Sequence, residues 1–186
     1  MISCIIMQVI LREHNGAIFR RCEPSDLIGV MEINMKTLPE HYSDYFYESL
    51  LSEAPEAFLV AEKNNQHVGY IMCKTEFGFS NFKKLGFVKK GHVVSVAVLE
   101  EHRGNGFGKI LVHESFKGVK EKQCDEMYLE VRCSNTEAVK LYQDLGMDIN
   151  YCFSSNRHVT TKINGCFYLC IMYSCIFCIC LAFDAL

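Results

Sequence analysis

The nearly unbroken apolar run His92-Val93-Val94-Ser95-Val96-Ala97-Val98-Leu99 leads shortly into Arg103-Gly104-Asn105-Gly106-Phe107-Gly108. A strand that is apolar at successive positions, and not only at alternate ones, has to be covered on both faces. Directly after the glycines, Leu111, Val112, Phe116 and Val119 recur at helical spacing, which predicts a helix over residues 107–122. A doubly covered strand feeding a helix through a glycine turn excludes an all-helical bundle and a one-sided sheet. The fold class is therefore mixed α/β, a central sheet flanked by helices.

The flanking pattern agrees. Ala17–Arg21 reads as a first strand, and Glu23-Pro24-Ser25-Asp26 as the turn before an amphipathic helix with Leu27, Val30, Met31, Met35 and Leu38 facing inward, stopped at Pro39. A second helix is expected over His41–Leu51. Strands at 57–61 and 68–72, separated by the polar turn Asn64-Asn65-Gln66, form a hairpin. Glu76–Lys90 mixes Gly, Phe and Lys without a period and reads as a loop. Met127–Val131 is a further strand. Ser134-Asn135-Thr136-Glu137 has the form of a capping box before Ala138, Leu141, Tyr142 and Leu145, and Gly146 ends that helix.

The formal net charge of −3 gives no basic field for a nucleic-acid partner. The apolar start Met1–Met7 lacks a basic region and a small-residue cleavage site, so no signal peptide is expected. Eleven cysteines are present. Cys4, Cys22, Cys73, Cys124 and Cys133 are scattered beside apolar positions, as small buried hydrophobes in a reduced protein are. The rest, from Cys152 onward, crowd together without paired zinc-ligand spacing, so no metal is expected.

Chemistry concentrates in Arg103–Gly108. Glycines allow backbone N–H groups to approach an anion closely, and a helix N-terminus adds partial positive charge. The segment lacks the Gly-Lys-Ser/Thr of a Walker loop and the full dinucleotide pattern, which disfavours nucleotide hydrolysis and NAD binding. An ordinary strand-to-helix turn would look similar if the segment stood alone.

It does not stand alone. Arg103-x-x-Gly106-x-Gly108 after Val93–Val98 resembles the acetyl-CoA motif of the GNAT superfamily. Leu129–Gly146 resembles the second signature of protein N-terminal acetyltransferases, with RimI-like ribosomal-protein alanine acetyltransferases and archaeal enzymes as the most similar members. Leu38-Pro39-Glu40-His41-Tyr42 resembles the substrate-side turn of such enzymes. The resemblance implies the GNAT fold, with two splayed strands in a mixed sheet. It divides the chain into an extension (1–16), an acetyltransferase domain (17–149) and an atypical Cys-rich tail (150–186).

It also implies roles. Val96, Ala97 and Val98 would pair through their backbone with the pantetheine arm of acetyl-CoA. Arg103, Gly104, Asn105, Gly106, Phe107 and Gly108 would hold its pyrophosphate. Asn135 would reach the cofactor while capping its helix. Glu130 would be the general base, through water; Tyr142 the acid that protonates the sulfur; His92 a holder of the catalytic water, suited to proton relay near neutral pH. Glu40 and Tyr42 would meet the acceptor. The expected reaction is acetyl transfer to the α-amine of a protein N-terminus, a ribosomal protein among the acceptors, at the ribosome and in the cytoplasm. Transfer to a lysine or small amine, and cofactor binding without turnover, are the alternatives.

The tail departs from the resemblance. Family members close the acceptor groove with an acidic, tyrosine-containing segment that is absent after Met147. Ile163–Phe183 carries no charged residue and has the length of a membrane span, about 20 residues, but is rich in Cys, Phe and Tyr. A membrane tether is the less favoured expectation. The abrupt change in composition favours a shifted reading frame near residue 149.

Overall fold

A computed structural model describes residues 8–80, 86–132, 135–153 and 167–172. Its strands are β1 (Ile10–His14), β2 (Ala17–Arg21), β3 (Leu59–Lys63), β4 (Gln66–Phe79), β5 (Phe87–Val98), β6 (Glu126–Arg132), β7 (Asp148–Phe153) and β8 (Phe167–Met172). The helices are α1 (Leu27–Thr37), α2 (Asp44–Glu53), α3 (Phe107–Glu121) and α4 (Thr136–Asp144). The strands form one mixed sheet in the order β1-β2-β3-β4-β5-β6-β8-β7. Pairing is antiparallel from β1 to β5 and parallel from β5 onward.

Two tight turns set the antiparallel half. Asn15 and Gly16, and then Asn64 and Asn65, all have positive φ, the backbone that lets a two-residue turn match the strand twist. The first of these turns places β1 inside the segment read as an extension (1–16). Asn15-Gly16 directly before the buried strand β2 is the signal for it. Most of the Glu76–Lys90 segment is strand and not loop: β4 continues to Phe79 and β5 begins at Phe87, paired from Gly69↔Val98 to Phe79↔Phe87 with one register shift after Met72, while residues 81–85 lie outside the described residues. Alternation persists through Lys74, Glu76 and Lys90, whose long stems cover sheet surface while their charges stay polar, so the composition looks like that of a loop.

Alternate residues divide the sheet between two cores. Leu59, Ala61, Ile71, Cys73, Val93, Met127 and Leu129 pack with α3 and α4. Val60, Tyr70, Met72 and Ala97 pack with α1 and α2. In α1 the buried residues are Leu27, Val30, Ile33 and Asn34, whereas Met35 is 70% exposed. The inward face is thus rotated from the expected one, toward a polar residue that finds a buried partner. The cap of α4 is Asn135, the cap role expected of it; its side chain accepts from the Ala138 N–H.

A buried ion network ties α1 to the antiparallel edge. Arg20 donates to both oxygens of Asp26 at 2.6 and 2.9 Å and to Glu62 at 2.8 Å, and His67 Nε2 lies 2.9 Å from Asp26. Asp26 also accepts from the Glu23 N–H. Although burial alone would raise the Asp26 pKa, these partners hold it below the ordinary carboxylate value.

Within the tail, the backbones of β7 and β8 extend the sheet beyond β6, with Glu130 opposite Cys170. Most of the uncharged run Ile163–Phe183 lies outside the described residues. Among the described residues no helix is long and apolar enough to cross a membrane.

Candidate active site

The site originates in a register shift of β5. Met72 pairs with Ser95 and Cys73 with Val93, so Val94 is an extra residue in β5. Such a bulge bends and twists its strand. Pairing with β6 ends at the same point: Lys90–Val93 match Glu126–Leu129, while β5 runs on to Val98 and β6 to Arg132 without further pairing. The sheet therefore opens into a slot at its centre. Val96, Ala97 and Val98 line it with one backbone edge held by β4 and the other turned toward the slot. Their side chains are spent on packing, Val96 and Val98 toward α3 and Ala97 toward α1.

Beyond Val98 the chain makes the glycine turn. Arg103 Nε donates to the Val98 carbonyl at 3.2 Å, and Asn105 Nδ2 donates to the carbonyls of His102 and Arg103, so these side chains fix the loop. Gly104 and Gly106 have φ of +75° and +79°, a backbone that L side chains rarely adopt, and Gly106 caps α3. A Cβ on Gly104 would meet nothing within 4 Å, so the cradle is open to an incoming group. Gly108 sits against Leu141, joining the loop to α4. Phe107 does not face this cradle. Its ring is buried edge-on to Phe19, with centroids 5.6 Å apart, which leaves only its backbone for a ligand. An open slot ending at a left-handed glycine turn and a helix N-terminus fits an extended amide arm carrying a pyrophosphate.

On the α1/α2 side, polar groups gather at the slot. His92 on β5 pairs with Lys74 on β4 and Tyr128 on β6, and its ring stacks on Tyr128 with centroids 4.4 Å apart. The Tyr128 hydroxyl donates to Glu76 at 2.5 Å, and Glu76 is 3.3 Å from the Lys74 ammonium. Lys90 lies over the Tyr128 ring. Burial, reinforced by Lys74 and opposed by Glu76, pushes the His92 pKa down to about 4. Its Nδ1 is buried without a hydrogen-bond partner among the described residues. Glu130 stands two residues beyond Tyr128 on β6, with an exposed side chain. Partial desolvation raises its carboxyl pKa, with Lys74 opposing and Glu76 adding. Lys74, Glu76 and Tyr128 are not signalled by the sequence: Lys74 and Glu76 sit at or just before the segment read as a loop, and Tyr128 meets them only through the pairing of β4, β5 and β6.

The remaining residues lie to either side. Tyr142 is in the α3/α4 core, and burial pushes its phenol up to about 12. Asn135 caps α4. Glu40 and Tyr42 lie on the α1–α2 turn above Tyr70, whose phenol both affect electrostatically. Tyr42 stacks on Phe46 with centroids 5.0 Å apart, while Glu40 is exposed. Cys22 and Cys73 are buried free thiols whose pKa burial raises, so neither is a nucleophile.

A slot between diverging strands, ending at a glycine turn and lined on one side by acid–base groups, defines an acyl-CoA-dependent transferase. The family model for the acetyltransferase (GNAT) family matches residues 27–147, and the chain belongs to that family. Within it, the chain is 48% identical over 129 residues to the N-alpha-acetyltransferase of Sulfurisphaera tokodaii, covering 68% of this chain and 77% of the relative. Among solved structures, Ard1 from Thermoplasma volcanium superposes with a TM-score of 0.60 at 27% identity, covering 73% of this chain and 84% of that one. Arabidopsis thaliana Naa50, solved with the bisubstrate analogue CoA-Ac-MVNAL, gives 0.60 at 25%, over 73% and 85% of the two chains.

Proposed function

We propose that the chain transfers acetyl from acetyl-CoA to the α-amino group of a protein N-terminus. The observation that carries this is the opening of β5 from β6 directly beside His92 and Glu130. Acetyl-CoA supplies an activated acyl thioester. Val96–Val98 would hold its arm by their free backbone edge, and the Arg103–Gly108 turn its pyrophosphate.

An α-ammonium has an ordinary pKa of about 8 and must lose a proton before it can attack a carbonyl. Glu130 accepts that proton through water, and its raised pKa makes it a stronger base than a glutamate of ordinary pKa. With a pKa near 4, His92 is uncharged at neutral pH. It holds the water by a ring nitrogen and stores no proton, a different part from the relay expected from its ordinary pKa. Tyr142 keeps its proton at every physiological pH, the state required of a donor to the departing sulfur. Glu40 and Tyr42 flank the entering amine. Direct attack needs no covalent enzyme intermediate, in keeping with inert buried thiols.

A ribosomal protein as acceptor, the ribosome as the site of encounter and a cytoplasmic location complete the reading, supported by resemblance to ribosomal-protein and archaeal N-terminal acetyltransferases. Thiol release from acetyl-CoA with a panel of short peptides tests the reaction. Turnover with free α-amines and none with N-blocked, lysine-containing peptides is expected. The reverse preference would make it a lysine acetyltransferase, and a coenzyme A melting shift without any turnover would make it a binder.

A further inference from the structure

The α1/α2 core contains a polar chain that the mechanism above does not use. His41, on the turn that carries Glu40, has Nδ1 3.3 Å from Asn34 Oδ1. Asn34 Nδ2 donates to the Tyr70 hydroxyl at 2.9 Å. The Tyr70 hydroxyl lies 2.7 Å from Ser95 Oγ. Asn34, Tyr70 and Ser95 are all buried, surrounded by Val30, Ile33, Met72 and Ala97. The phenol oxygen accepts from the Asn34 amide and shares a hydrogen bond with Ser95 in which either hydroxyl can donate, and with Asn34 Oδ1 as acceptor His41 donates from Nδ1. Apolar side chains of the same shape would fill this space without desolvating three polar groups. What the polar chain adds is a fixed geometry, since buried networks tolerate one arrangement and penalise others.

Its two ends give it a use. One end is the acceptor-side turn. The other is Ser95, between the bulge at Val94 and the slot-lining Val96. We infer that Asn34, Tyr70 and Ser95 are positioning residues that lock the acceptor turn to the cofactor strand, coupling acceptor binding to occupation of the slot. The inference rests on the acceptor role given above to the Glu40 turn.

Tyr70→Phe keeps the ring and removes both hydroxyl bonds. The expected result is a peptide KM raised about five- to tenfold with the acetyl-CoA KM within about twofold, a loss at the turn equivalent to about one net hydrogen bond. Ser95→Ala should move the same parameter in the same direction, Ser95→Thr should restore it, and Tyr70→Phe/Ser95→Ala should be no worse than Tyr70→Phe. Equal effects on both KM values, or a lowered melting temperature with unchanged peptide KM, would overturn the proposal. Amide exchange of residues 38–43 provides a readout that needs no turnover. Coenzyme A should slow it in the wild-type chain and not in Tyr70→Phe. Equal slowing in both refutes the coupling even if the acceptor proves not to be a peptide, whereas failure of the peptide assay alone counts against the acetylation reading.

Discussion

On the α3/α4 face, β3 to β6 present Leu59, Ala61, Ile71, Cys73, Val93, Met127 and Leu129 as one continuous apolar surface. On the α1/α2 face the same strands are apolar at Val60, Tyr70, Met72 and Ala97. Past Met72 they carry Lys74, Glu76, His92, Tyr128 and Glu130. One face is therefore finished by helices, and the other is left open where the strands part. The bulge at Val94 makes this division useful, because it opens the sheet at the row where the polar face begins. The parts proposed to hold the cofactor are backbone features, a strand edge unpaired with β6 and left-handed glycines. The proposed base Glu130 and its neighbour His92 are side chains on the α1/α2 side of the slot, while the proposed acid Tyr142 is buried in the α3/α4 core. Substitutions on the two sides should consequently fail in different kinetic parameters.

The largest effect should come from the polar face. Glu130→Gln removes the proposed base without changing shape, and turnover should fall by about a hundredfold or more, the usual contribution of a positioned base. The acetyl-CoA KM should change little. A kcat within about threefold of wild type would transfer the role to another group of the cluster.

The next effect is on stability and comes from the same face. His92 has a folded pKa of about 4 against 6.5 ordinarily. On acidification the unfolded chain takes up this proton first, so stability is full above pH 6.5 and declines as pH falls toward 4. The loss should reach about 2–3 kcal/mol, since each pH unit separating the folded from the unfolded value contributes about 1.36 kcal/mol before solvent screening. Asp26, whose folded pKa is depressed, also stabilises above its ordinary pKa, but its contribution disappears only at still lower pH. Urea midpoints at about pH 7, 5.5 and 4.5 for the wild-type chain and His92→Gln separate the two. The variant should lose the slope above about pH 4, and an unchanged slope would place the buried titration elsewhere.

The face that is legible in sequence is the apolar one. Residues Leu111, Val112 and Val119 of α3 announce their burial by spacing, and the glycine turn announces its backbone. The open face is harder to read. Lys74, Glu76 and Lys90 lie on long paired strands, yet nothing local distinguishes a charged residue facing a cleft from one in a loop. Asn34 shows the same limit: its partner Tyr70 is far away in the chain, so the rotation of α1 that buries Asn34 and exposes Met35 is set by a tertiary contact. Val94 is invisible for the same reason, since a bulge exists only relative to the neighbouring strand. The strand β1 is a different case, because Asn15-Gly16 is a local hairpin signal in plain view.

On the cofactor side, Gly106→Ala isolates the backbone requirement. A Cβ there would find only His14 Nε2 at 3.8 Å, an ordinary contact, so packing is not at stake. The cost is conformational, about 1–2 kcal/mol for a non-glycine residue with φ near +79°. If the chain avoids that cost by reshaping the turn, the N–H groups at the start of α3 no longer converge. The acetyl-CoA KM should then rise by about three- to tenfold with kcat nearly unchanged, the inverse of the Glu130→Gln pattern. A matching loss of kcat would mean that the loop also sets the position of the reacting carbonyl.

The smallest effect tests whether α4 belongs to one side or to both. Asn135 caps the helix that carries Tyr142, and Asn135→Ala should cost about 1 kcal/mol, the usual value of a lost N-cap. If capping is its whole role, the melting temperature falls by a few degrees and both kinetic parameters stay put, since Tyr142 is held by packing in the α3/α4 core as well as by its helix. Asn135→Ser preserves the cap and shortens the side chain. Should Asn135→Ser raise the acetyl-CoA KM at unchanged stability, the amide reaches the cofactor beyond its capping bond, and α4 joins the glycine turn as part of the cradle. Should it leave both values unchanged, the cradle ends at Gly108 and α4 serves the site only through Tyr142.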